Sequence, residues 1–325
     1  CTICDEEFLG ALAIPKANKE VSGASLQNPS DPDAAYDSHK GQGYQLQVME
    51  TYCDSEDQTA KEKILTLITH VQLEKASNHD SRALLPALED TRERDCAPQQ
   101  LLADSLYGSD DNTQKANELG VELISPVMKG SEAKDRLHLH DFQFLQSGQI
   151  AACPAGQVPL KIIKHKEKRY SIAFSSEHCR ACPHQGLCPV KPGSKHHYLR
   201  CSEKALRLAP RKIMEQTPEF RDKYRWRAGI ESTFSGMDRV TGIKRLRVRG
   251  FSAVRFCVFM KALAINLLRA TRVSKTLCGS WTSPGVLLVH LRRLFLFIKE
   301  LYAAMCRNMC NVNRISYGLV LKPAV

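Results

Sequence analysis

A chain of 325 residues with 43% hydrophobic content can bury a sizeable core, as two domains or as one domain with a large insertion. Its acidic start, CTICDEEFLG, lacks the basic n-region of a secretory signal, and thirteen cysteines, an odd number, argue for reduced thiols rather than a disulfide frame. The net charge of +11 joins two unlike halves: residues 1–152 hold 13 Lys/Arg and 26 Asp/Glu, and residues 153–325 hold 33 and 9. So basic a C-terminal half points to a polyanionic partner.

Residues 17–43 are rich in Ser, Asn, Asp, Pro and Gly and read as loop. GYQLQVMETYC (43–53) alternates Tyr44, Leu46 and Val48 with Gln45, Gln47 and Met49, which predicts a strand. ILTLITHVQLE (64–74) predicts a second. Residues 77–95 have helical spacing at Leu84, Leu85 and Leu88, dented by Pro86. QQLLADSLYGS (99–109) reads as a short buried strand ending at Asp104. A helix capped by Ser109 and stopped by Gly120 follows, then a strand over 121–127. Together they predict a βαβ unit with a parallel pair.

Residues 150–201 read as short strands around four cysteines. From 203 the chain is predicted helical: 203–216, a helix that starts after Thr217 with Pro218 at its first position, and an amphipathic to fully apolar helix over 251–272 with Asn266 as its one buried amide. The apolar run GVLLVHLRRLFLFIKELY is broken by Arg292 and Arg293, so a core or partner helix over 285–303 is expected, and no membrane association.

Three groups of residues carry chemistry. Tyr224, Arg227 and Glu231, in YRWRAGIESTF, are spaced to share one face of a helix. Asp104 closes a strand that opens into a helix, the usual place for a site residue in open α/β sheets. Two such carboxylates from distant elements can hold divalent metal ions for phosphoryl transfer, with nearby cations on the phosphates. Arg239, Lys244, Arg245, Arg247 and Arg249 supply cations that track a backbone without reading sequence. Cys153, Cys179, Cys182 and Cys188, with a Cys-x2-Cys pair, suit tetrahedral zinc, with His178 and His184 as alternates and a reduced thiol cluster as the other reading.

At these residues the chain resembles the DDE-type cut-and-paste transposases of bacterial insertion sequences. ADSLYGS is similar to their Asp-x-x-Tyr second-aspartate segment. YRWRAGIESTF resembles their Tyr-x2-Arg-x3-Glu signature. NPSDPDAAYDSHKGQGYQLQV resembles a segment between their first two aspartates, and FMKALAINLLRA a helix after their glutamate. The resemblance implies an RNase H-like fold, a mixed sheet flanked by helices, here with an inserted Cys-containing β subdomain. It implies Asp104 and Glu231 as catalytic carboxylates on Mg2+ or Mn2+, with Tyr224 and Arg227 on DNA near the element end. It also implies double-stranded DNA as partner, a homodimer when on DNA, and a cytoplasmic, nucleoid-associated protein.

Two departures stand out. The signature's Lys seven positions after the glutamate is Asp238 here. The family's first aspartate lies on a central strand between the second and fourth strands, and no such strand is legible. Its loss removes a metal ligand and splits the sheet, leaving two unpaired edges. Asp31 and Asp33 are candidates for that acid, with turn residues as the blander reading. FLGALAIPK (8–16) could fill the slot but brings no acid to the right place. The chain is therefore expected to be an N-terminally truncated transposase, with a non-catalytic DNA-binding remnant as the alternative. The expected organisation is a loop-rich segment 1–43, the first part of the core 44–149, the Cys-containing β subdomain 150–202, the helical part of the core 203–275 and a helical tail 276–325.

Overall fold

The computed structural model describes residues 21–128 and 135–278, so the segment 8–16 and the helix read over 285–303 lie outside the described residues. The chain divides into two compact units: residues 1–52 with 68–262, and residues 53–67 with 263–325.

In the first unit, β1 (Ala35–Asp37) pairs antiparallel with the start of β2 (Gly41–Glu50). In the second unit the short helix α1 (Gln58–Lys63) is capped by Asp57, whose carboxylate accepts from Thr59 N at 2.9 Å. Back in the first unit, β2 pairs antiparallel with β3 (Ile68–Lys75) from Tyr44↔Lys75 to Met49↔His70, and the register shifts between Met49 and Glu50. The alternation read from β2 has a physical outcome. Leu46 and Val48 face Leu73 and Val71, while Gln45 and Gln47 face Glu74 and Gln72. That second face is polar, with Gln45 and Glu74 buried, and these are satisfied: Gln45 Nε2 donates to Glu74 at 2.7 Å and Gln72 Nε2 at 3.0 Å.

Helix α2 (Leu84–Glu93) buries Leu84, Ala87, Leu88 and Thr91, an i, i+3, i+4, i+7 stripe. Pro86 sits in its first turn, where an N–H would have no helical partner, so the proline does not break it. β4 (Gln100–Leu102) and β5 (Glu122–Ile124) are parallel, in register Gln100↔Glu122 to Leu102↔Ile124, with α3 (Asp110–Glu118) as the crossover. Ser109 caps α3 by accepting from Asn112 N at 3.2 Å, and Gly120, with φ +78°, follows its end. Leu84, Leu88, Ala103, Ala116, Val121 and Leu123 form the core here. Among the described residues β1–β3 and β4–β5 are separate sheets, not one mixed sheet.

A second core lies in the Cys-bearing region. β6 (Gln143–Phe144) pairs with β7 (Ile150–Ala152). β8 (Lys161–His165), β9 (Arg169–Phe174), β10 (Lys191–Pro192) and β11 (His197–Ser202) form one antiparallel sheet in the order β10-β11-β9-β8, with the short helix α4 (Ser176–Arg180) following β9. Phe142, Ile150, Ile172, Phe174, Val190 and Leu199 fill it.

Helix α5 (Glu203–Met214), capped by Ser202, is tied to α3 where Arg207 grips the buried Asp110 at 2.7 to 3.3 Å. α6 (Pro218–Tyr224) starts as read, with Thr217 as cap and Pro218 at its first position. The continuous helix read from there through Glu231 is instead three pieces. A 3-10 segment, Arg225–Ala228, separates α6 from α7 (Gly229–Thr241). Gly229, the weakest helix former in the run, stands at the second junction, and Arg225 folds back onto Asp222 and over Trp226.

α8 (Phe251–Cys278) runs through both units and is long and apolar enough to cross a membrane by length and composition. It nevertheless buries Val254, Val258 and Ala262 in the first unit and Ile265 in the second, with Arg255 and Lys261 among them.

Candidate active site

Asp104 follows β4 in extended backbone and caps the 3-10 turn Ser105–Tyr107, its carboxylate accepting from Ser105 N at 2.6 Å. Ser125, just past β5, donates its hydroxyl to Asp104 O at 2.6 Å and fixes that main chain. The acid therefore stands at the carboxyl end of a parallel strand. Its side chain stays 41% exposed.

Arg227 joins this strand end to the helical region. Its Nη2 lies 3.2 Å from Asp104 Oδ2 and 3.3 Å from Glu231 Oε1. Both carboxylates thus sit on one guanidinium nitrogen and are no further apart than the sum of those distances. The 3-10 segment that interrupts the helix carries Arg227, and Glu231 is in the first turn of α7, so the motif converges although its helix does not continue. Tyr224 ends α6 close enough to feel both groups. Burial pushes its phenol up, Arg227 opposes that shift and Asp104 adds to it.

A third carboxylate opens into the same space. Asp104, Arg227, Glu231 and Glu50 all line one cavity of about 480 Å³ within the first unit. Glu50 is the last residue of β2 and accepts from Thr233 Oγ1, two residues beyond Glu231, at 2.7 and 2.9 Å. Sequence reading missed it. The available signal was the one acid at the end of an otherwise uncharged strand, but only the register shift at Met49 and the seating of α7 bring it here. Tyr107 also lines the cavity and hydrogen-bonds to Gln47 Oε1. Burial first, then Asp80, Glu74 and Asp104, push its phenol well up.

The donor set suits a hard cation in part. Asp104 and Glu231 offer exposed carboxylate oxygens, and a hexacoordinate Mg2+ needs only one or two of these plus waters and substrate phosphates. Among the described residues no group of three or more His, Cys, Asp or Glu side chains is gathered to hold a metal ion as it stands.

The remaining singled-out residues divide. Arg239 is exposed in the last turn of α7, and Arg245, Arg247 and Arg249 are exposed in alternation with half-buried Leu246 and Val248, in a non-strand segment after Gly242. Asp238, where the resembling family has Lys, organises that segment: its carboxylate accepts from Lys244 N at 3.2 Å and lies 3.8 Å from Lys244 Nζ. Asp31 and Asp33 lie elsewhere than the cavity. Asp31 accepts from Gly250 N at 3.2 Å and Tyr44 OH at 2.6 Å, and Asp33 accepts from Phe251 N at 2.9 Å, so the pair caps the start of α8.

Cys153, Cys179 and Cys188 pack against the second core, and Cys182 lies in electrostatic range of Cys179 and Cys188. Burial, helped by the neighbouring thiols, pushes Cys179 up. Gln157 N donates to Cys153 Sγ at 3.4 Å. The four are near neighbours but not a coordination cluster as they stand.

No curated protein and no solved structure matches the chain. Residues 152–271, a little over a third of its length and the stretch that holds the four cysteines, Arg227, Glu231 and the basic segment, match the family model of a transposase DDE domain.

Proposed function

We propose that this chain is the catalytic core of a DDE transposase acting on the ends of an insertion sequence, with Asp104 and Glu231 as its metal-holding carboxylates. The observation that carries it is Arg227 bound at once to Asp104, which lies outside the matched stretch, and to Glu231, which lies inside it. Residues 127 positions apart have no local reason to meet.

A bound Mg2+ or Mn2+ would activate the attacking oxygen and offset charge on the leaving one. The chain's own groups position the DNA. In the absence of metal Arg227 neutralises the two acids, and on binding it is free to turn to a phosphate oxygen. Tyr224, kept protonated by burial, donates a hydrogen bond. Arg239, Lys244, Arg245, Arg247 and Arg249 meet the phosphate backbone of double-stranded DNA. Two copies would act together in pairing two element ends, in the cytoplasm.

Asp31 and Asp33 bond to the start of α8 rather than line the cavity, and Glu50 is the further carboxylate there. Glu50 bonded to Thr233 favours a second reading, a DNA-binding remnant with an incomplete acid set. The deciding test is incubation with labelled element-end DNA and Mg2+. Strand nicking followed by joined products supports the first reading. Salt-sensitive binding with no nicking, in Mg2+ or Mn2+, overturns it in favour of the second.

A further inference from the structure

Four cysteines come together beside the second core from separate stretches of chain. Cys153 directly follows β7, Cys179 lies in α4, Cys182 follows that helix and Cys188 precedes β10. Local turns set them. Gly156, with φ +77°, lets the chain fold back after Cys153, so that Gly156 N donates to Cys153 O at 2.8 Å and Cys153 N to Gln157 O at 2.9 Å. Gln185 N donates to Cys182 O at 3.1 Å and Cys188 N to His184 O at 2.9 Å, two tight turns that fold the loop between them. Cys153, Cys179 and Cys188 pack on the same core, and Cys179 lies in electrostatic range of the other three. All four are free thiols. Two of the sulfurs are met by main-chain amides. Gln157 N donates to Cys153 Sγ at 3.4 Å, and the Val190 amide donates to Cys188, opposing the upward push that burial gives that thiol. A protonated thiol is only a weak acceptor, so amides aimed at sulfur favour the thiolate, the form that ligates a metal. Cys201 gives the contrast. It packs on the same core, but burial alone pushes its thiol up, to about 11, and none of the four acts on it.

We propose that Cys153, Cys179, Cys182 and Cys188 form a structural site for one zinc ion. Sulfur donors with no carboxylate among them select a borderline ion over Mg2+, and a Cys-x2-Cys pair joined by two further cysteines is a tetrahedral set. Burial and the neighbouring thiols push Cys179 and Cys188 up, so the bare cluster stays protonated, and a divalent ion supplies the charge that lets the thiolates share one site. Lys191, in range of Cys188, offsets part of the negative charge that remains. As they stand the four do not close a coordination sphere, and the ion would draw the sulfurs inward from turns that are already formed. It would then tie the loop after β7, helix α4 and the lead into β10 to one another, three segments that also share the core around Phe174. Cys201 takes no part. The inference does not rest on the functional reading.

Metal analysis of the full chain, purified without chelator, tests it, and the chain should carry about one zinc ion. After the zinc is removed, added Co2+ should give sulfur-to-cobalt charge-transfer bands and the intense visible bands of a tetrahedral site. Cys182→Ser should weaken zinc affinity by about tenfold or more, Cys182→His should recover much of it, and Cys201→Ser should leave it unchanged. Cys182 is the position to vary, because Cys153, Cys179 and Cys188 pack on the core and their loss would disturb the fold as well. A zinc-free chain with four reactive thiols overturns the proposal, as does a disulfide among the four. So does Co2+ bound without charge-transfer bands, which would place the ion on oxygen ligands, or a zinc affinity that Cys182→Ser leaves unchanged.

Discussion

Among the described residues, strands β8 to β11 form one run of antiparallel neighbours, whereas β1 to β5 fall into two sheets, residues of which line a cavity. The first arrangement has its own aromatic core, with Phe142 and Phe174 at 6.3 Å between centroids. The second puts its polar residues inward and its carboxylates at the rim. The four-stranded sheet pairs its inner strands β11 and β9 on both sides, and its stability comes from packing. A sheet in two pieces holds strand ends apart, and strand ends are where Asp104 and Glu50 stand. One region should answer to core substitutions and the other to changes of charge.

The largest expected effect separates the two directly. Glu231→Gln keeps the shape and removes the charge, so Mg2+-dependent nicking should fall at least about 10³-fold, equal to roughly 4 kcal/mol of barrier. Because Glu231 is 65% exposed, chemical denaturation should move by no more than about 0.5 kcal/mol. A matching loss of stability would mean that the residue is structural. The converse is Phe174→Ala, expected to cost about 3–5 kcal/mol in a denaturant titration through the cavity it leaves. If it costs under about 1 kcal/mol, the Cys-bearing sheet has no cooperative core of its own.

Sequence reading succeeded where the causes are local. Ser109, Gly120, Thr217 and Pro218 cap, stop or start helices by their own backbone chemistry, and the structure uses them so. The parallel pair around α3 followed from the same signals. The nearness of Asp104 to Glu231 was an expectation drawn from the resemblance, and the Arg227 contact that joins them was not read at all, since no spacing relates residues 123 positions apart. Three features were not legible. The interruption between α6 and α7 is a short stretch of tighter 3-10 hydrogen bonding at Arg225–Ala228, which periodicity does not weigh. Glu50 reads as one more polar strand residue until Thr233 is seated beside it. The division into two units separates residues 53–67 from the chain on either side, and no composition shift marks those boundaries.

Between the extremes lie two intermediate effects. Replacing Arg245, Arg247 and Arg249 together by Ala should lower the slope of log affinity against log salt by about 2.7 for duplex DNA, at about 0.9 per lost phosphate contact. Fluorescence anisotropy at several salt concentrations reads this, and an unchanged slope would place the DNA elsewhere. Ala87→Leu pushes three further carbons into the cavity from α2. With the cavity open beside Ala87 the added carbons find room, and denaturation should shift by no more than about 1 kcal/mol. A loss of about 1–3 kcal/mol would show the space to be filled already.

The smallest effect concerns a pair of acids that sequence alone left between two roles. Asp33 accepts from Phe251 N at 2.9 Å, at the first residue of α8, and Asp31 accepts from Gly250 N just before it. Both amides belong to the unsatisfied set that every helix start exposes, and a carboxylate there also meets the positive end of the helix dipole. Asp33→Ala should therefore cost about 1 kcal/mol, the usual worth of a lost cap. Asp33→Asn should recover most of that, because the amide oxygen still accepts while only the charge is gone. Metal-dependent nicking should be the same in both variants once they are compared below their melting temperatures. A drop as large as that of Glu231→Gln would instead return Asp33 to the catalytic set, and would break the division between a region that packs and a region that reacts.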